Sequence, residues 1–147
     1  MASARLWGLQ KTLGMKRRLV SLSGDMERDC ADLRSILDRA REREREFHWK
    51  EAAEEYSKAC KLAPPRELLL IGNLQESRAH ALHRHAFQAE SKEDFERRSA
   101  EVVSEYRKAR EAYGRLEGDG SFPWTLRCDA MVAFMRLWSE RIPSERR

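Results

Sequence analysis

The sequence predicts an all-α chain of antiparallel helix hairpins, about five helices with a basic N-terminal helix or arm in front. Three observations predict it. Only seven Gly and four Pro interrupt 147 residues, and they gather near segment ends. That suits a few long helices and argues against the many turns of an all-β fold. Apolar residues recur at intervals of three and four, the period of one helix face. Charged residues reach 37% against 41% hydrophobic, a helical composition with few apolar residues to spare. The length suits one domain with one core.

Residues 1–24 carry Arg5, Lys11, Lys16, Arg17 and Arg18 and no acid. The rest of the chain holds 24 basic and 25 acidic residues, so the sequence pI of about 9.1 is a property of the arm. Leu6, Leu9 and Leu13, then Leu19, Val20 and Leu22, allow an amphipathic helix here. Gly8 and Gly14 weaken it by about 1 kcal/mol each relative to Ala. Three readings fit the arm: a helix or arm packed on the body, which leads; a mitochondrial targeting segment; and a basic helix lying on an anionic membrane surface. A basic surface for nucleic acid would need a cluster on the folded body, and none is expected there, so nucleic acid is not an expected partner.

The first strong helix is predicted from Asp25, a candidate N-cap, to about Phe47, with Leu33, Ile36, Leu37 and Ala40 on one face. Its last turns, Arg39 to Glu46, alternate in sign. Opposite charges fall at i,i+3 and like charges at i,i+4, so the pair terms largely cancel and the run reads as a solvated face. A second helix spans about Lys50 to Ala63, with Ala52, Tyr56, Ala59 and Cys60 inward, and Pro64-Pro65 stops it. A third fits about Arg66 to Ala89. Its apolar residues spread over more than one face, as in a helix with neighbours on two sides.

Ser91 and Asp94 resemble a capping box opening the fourth helix. There Phe95, Ser99, Val102, Tyr106, Ala109, Tyr113 and Leu116 form one continuous seam, which Gly118 and Gly120 terminate. Ser121-Phe-Pro123-Trp124 opens a fifth helix to about Ile142. One face carries Trp124, Cys128, Met131, Met135, Trp138 and Ile142. A second apolar set of Leu126, Ala130, Val132, Phe134 and Leu137 leaves little polar surface, so this helix is expected to meet a continuation of the chain or a partner. The organisation is therefore a basic segment 1–24 and a helical domain 25–147, with hairpins 25–65 and 66–118 and a terminal helix 122–142.

The spacing Ala52-x3-Tyr56-x2-Ala59-x4-Pro64, with Trp49 just before it, resembles the second helix of a tetratricopeptide (TPR) repeat. Small residues let paired helices approach, and the aromatic between them fills the gap to the next unit. Ile36 and Ala40 match the first helix of that family, whereas Arg39 and Arg43 stand where a leucine and an aromatic are usual. The resemblance covers about 33–65. Val102-x3-Tyr106-x2-Ala109 echoes it 50 residues on, where a standard repeat gives about 34. The three-helix MIT module carries a similar Ala-x3-Tyr-x2-Ala pattern and is the alternative. The TPR resemblance implies a right-handed array and a protein-interaction scaffold, as the N-terminal part of a longer repeat protein or alone. The alternative implies an MIT-like or membrane-surface adaptor using the basic arm.

No catalytic constellation emerges. Cys30, Cys60 and Cys128 are widely spaced with no CxxC, and read as buried, reduced thiols. His80-x2-His83-x-His85 puts two imidazoles at most on one helix face, short of a zinc site. No glycine-rich phosphate loop is present. The expectation is a non-enzymatic chain with no metal and no cofactor, binding a protein or peptide partner. Trp124, Met131, Met135 and Trp138 form the candidate contact surface, with self-association through the C-terminal helix as one mode. A cytoplasmic location is expected, or a mitochondrial one if residues 1–24 are a targeting segment.

Overall fold

A computed structural model describes residues 24–116 and 121–141, with side chains from Arg28 onward. The arm residues Arg5, Lys11, Lys16, Arg17 and Arg18, the side chain of Asp25, and Gly118, Gly120 and Ile142 lie outside what it describes. Five helices follow one another: α1 (Gly24–Arg45), α2 (Trp49–Leu62), α3 (Leu68–Ala86), α4 (Lys92–Gly114) and α5 (Phe122–Arg141). Each packs on its neighbours in the chain. Among the described residues there is no strand.

Helix α1 buries Leu33, Ile36, Leu37 and Ala40, a stripe at i, i+3, i+4 and i+7. It ends earlier than its periodicity suggests, because Phe47 takes a left-handed φ of 61°. Phe47 N–H donates to the Glu44 carbonyl at 3.1 Å and His48 N–H to the Arg43 carbonyl at 2.9 Å. This is the Schellman arrangement that caps many helices, here without the usual glycine. Helix α2 runs back antiparallel. Ala52 and Ala59 are fully buried and let α1 come close, Tyr56 fills the space between them, and its hydroxyl donates to Glu44 at 3.2 Å. The α2 C-cap, Ala63, is extended at ψ 131°, as the following Pro64 dictates.

Helix α3 begins at Leu68 and not at Arg66, because Pro64 to Glu67 close a turn in which Glu67 N–H donates to the Pro64 carbonyl at 3.0 Å. It is the central helix: Leu70, Leu74, Ala79, Ala81, Leu82 and Ala86 are buried on several faces. Helix α4 opens with the expected cap, Ser91 Oγ accepting from Asp94 N–H at 3.1 Å. The Asp94 carboxylate turns to Arg97 and Arg98. Phe95, Ser99, Val102, Tyr106, Ala109 and Tyr113 of its seam are all buried, and Leu116 packs partly buried against the core.

Two helices approach closely at Gly72. A Cβ there would sit 2.5 Å from Tyr113 Cε1, so α3 lacks a side chain where the Tyr113 ring crosses it. The other end of that ring meets Glu76, whose carboxylate accepts from the Tyr113 hydroxyl at 2.8 Å. Glu76 also takes a bidentate bond from Arg127 of α5. A buried α3 carboxylate thus ties α4 and α5 together. Trp124 stacks on Tyr113 with centroids 5.6 Å apart. Three side-chain contacts, Glu76–Arg127, His83–Phe134 and Phe87–Trp138, share one register of 51 residues. Helix α5 therefore lies antiparallel to α4 and parallel to α3.

Candidate partner-binding site

Two surfaces result. The first is a groove over α3, walled by α2 and α4, with a cavity of about 600 Å³. Its floor is Leu82 and Ala53, both buried. Lys50, Lys58, Lys61, Arg78, Arg97 and Arg98 line it against two acids, Glu54 and Glu101. Folding therefore gathers a cationic cluster on the body, where the sequence led us to expect none, since the cations come from three helices and acids separate them along the chain.

Most of these cations are held by partners. Lys58 pairs with Glu55 at 2.5 Å, Arg78 with Glu105 at 3.0 Å and Glu101 at 3.9 Å, and Arg97 and Arg98 with Asp94. Glu55 has a lowered pKa: burial pushes its carboxyl up, and hydrogen bonds from Lys58 and Arg39 outweigh that. The Asp94 carboxyl is also held low, first by its hydrogen bond from Arg97 and then, against some desolvation, by Arg98. His85 at the α4 end is held below the usual imidazole range by burial and by the Arg98 charge. Lys50 and Lys61 have no carboxylate partner among the described residues. They stand at opposite ends of the α2 wall, eleven residues apart, which is about 16 Å on a helix.

The second surface is α5. Trp138 is 43% exposed, as are Phe87 and Phe134 to a similar degree, and these three rings meet edge to edge. Of the other residues expected at this surface, Met135 is fully buried and offers nothing to a partner. Met131 and Trp124 are half-buried and pack against the core. Beside Trp138 and Phe134, the apolar surface of α5 lies on Phe122 and on Leu126 and Leu137, the last two from the second apolar set of the helix.

Comparison with protein-family models, with curated proteins and with solved structures finds no match for this chain.

The remaining candidate chemistry has structural explanations. His80 and His83 stand in a chain of aromatic contacts from Trp49 to Phe134, and His85 turns instead toward Arg98. Among the described residues no three metal-ligating side chains converge. None of the three cysteines is in a disulfide. Burial pushes the Cys60 thiol up to about 11 and, with the Glu76 charge, the Cys128 thiol up to about 12, which makes both poor nucleophiles. No helix among the described residues is long and apolar enough to cross a membrane.

Proposed function

We propose that this chain is a non-enzymatic protein-interaction scaffold of TPR-like, right-handed type, whose groove over α3 receives an acidic peptide segment. The carrying observation is the pair of uncommitted lysines, Lys50 and Lys61, at the two ends of a groove floored by Leu82 and Ala53. Two charges about 16 Å apart suit an extended segment of about five residues, at roughly 3.3 Å each, with a carboxylate near each end. A single small anion could not reach both.

The TPR-like part of the reading is supported by the inward placement of Ala52, Tyr56 and Ala59 and by the matching burial of Val102, Tyr106 and Ala109. The parallel register of α3 and α5 repeats at nearly the same interval. A nucleic acid is the weaker occupant. Glu54 and Glu101 line the groove, with Glu55, Asp94 and Glu105 close to its cations, which breaks the positive field a phosphate backbone needs. No Phe, Tyr or Trp lines the groove for base stacking, and its one aromatic ring, His85, is turned to Arg98.

The test is fluorescence anisotropy with a labelled peptide carrying two spaced glutamates around a leucine, beside a single-stranded oligonucleotide. Wild type should bind the peptide, and Lys50→Glu with Lys61→Glu should weaken it by about tenfold or more, roughly 1.4 kcal/mol. Equal binding by that variant, or tighter binding of the oligonucleotide, would refute the assignment.

A further inference from the structure

The outer face of α5 carries a self-complementary pattern. Leu126-x3-Ala130-x2-Ala133-x3-Leu137 reads the same spacing and the same residue types from either end. All four residues are exposed, on the side of the helix turned away from buried Cys128 and Met135. We propose that α5 pairs with α5 of a second copy of this chain, antiparallel about a two-fold axis between Ala130 and Ala133.

A two-fold contact must present one patch that fits itself. In the antiparallel register centred on the two alanines, Leu126 meets the partner's Leu137 twice and Ala130 meets the partner's Ala133 twice. Small residues at the centre let the helix axes approach to about 8 Å, at the close end of helix packing. The leucines fill the wider space toward the ends.

Charge selects the antiparallel arrangement over the parallel one. Asp129 and Arg136 lie on the same flank of the seam. Antiparallel pairing, with its two-fold axis across the helices, keeps that flank on one side and brings each near its opposite on the partner, whereas a parallel pair puts the two flanks on opposite sides of the interface and gains neither contact. Arg136 has no carboxylate partner of its own among the described residues, and Asp129 is held only by the exposed Arg110 at 2.7 Å. Phe122, Phe134 and Trp138 flank the seam, Phe122 largely exposed and the other two partly. Aromatic side chains of about 150–250 Å² bring the patch toward the roughly 800 Å² per partner of a standard interface. A dimer of modest affinity follows. This inference stands independently of the groove assignment.

The test is sedimentation equilibrium of the full chain between about 1 and 200 µM, a range that brackets a micromolar dissociation constant. Wild type should pass from monomer to dimer. Ala130→Glu should stay monomeric with unchanged helicity, because position 130 is exposed in the single chain. Arg136→Glu and Asp129→Lys should each dimerise less well alone, and an equimolar mixture of the two should recover a heterodimer. A wild type that stays monomeric throughout overturns the proposal and leaves the seam to a chain extension or a different protein. A dimer that survives Ala130→Glu overturns the seam, and failure of the mixture to recover overturns the antiparallel register.

Discussion

Replacing Gly72 with alanine tests the α3–α4–α5 junction where the Tyr113 ring crosses α3. In an exposed helix interior this change stabilises by about 1 kcal/mol, because glycine loses more backbone freedom on folding. At Gly72 the added Cβ would lie 2.5 Å from Cε1, 2.6 Å from Cδ1 and 3.0 Å from Cζ of Tyr113. Carbon atoms in good contact sit about 3.5–4.0 Å apart, so the ring or the helix must move by about 1 Å. The ring has little room to yield. It is fully buried, its hydroxyl bonds to Glu76 at 2.8 Å and Trp124 stacks on it. Overpacking of this kind costs roughly 1–3 kcal/mol, which leaves a net loss of about 1–2 kcal/mol after the helix gain. Urea denaturation followed by far-UV circular dichroism reads this directly, and Tm should fall by about 3–4 °C per kcal/mol. In a Tyr113→Ala background the same substitution should stabilise. Gly72→Ala matching or exceeding wild-type stability, with Tyr113 present, would refute the junction as described.

Further predictions concern the junction's charge, the first helix end and pH. Glu76→Ala removes the partner of half-exposed Arg127 and one of two acceptors for the Tyr113 hydroxyl, leaving Asn73 Oδ1 at 2.8 Å. It should cost about 2 kcal/mol in denaturant titration and loosen α5, visible as a red shift in Trp emission. Phe47→Gly removes a left-handed non-glycine residue from the α1 cap, and should leave stability unchanged or raise it by up to about 1 kcal/mol. A clear loss would show that the Phe47 contact with Trp49 outweighs the backbone gain. His85, its pKa lowered by burial and by Arg98, is neutral in the fold where the unfolded chain takes up a proton. Stability should therefore fall as pH drops below about 6.5, and level off once pH passes below the folded pKa. His85→Gln should remove the slope in that window, while losses at Glu55 and Asp94 belong to lower pH.

The sequence made most of this fold legible because its periodicity is strong where packing is one-sided. The α4 seam and the α1 stripe lie where a spacing of three and four places them. Helix ends were harder: α1 stops at Arg45 because Phe47 turns left-handed, a conformation its residue type does not advertise. The Gly72 contact and the Glu76–Arg127 pair join residues far apart in the chain, and no local pattern signals either. On α5 both faces are apolar, so periodicity could not say which was inward, and Met135 proved to be core while Leu126 and Leu137 are outside. The groove was hidden for a different reason. Its cations lie on three helices, interleaved with acids along the chain, and only the packing of α2 and α4 around α3 brings them to one surface.

An amide NMR titration of the full chain with the spaced diacidic peptide tests the central claim most directly. The account predicts the largest shifts at Lys50, Ser57, Lys61, Leu82 and Arg98, around one groove. Shifts confined to α5, or none at saturating peptide, would contradict it.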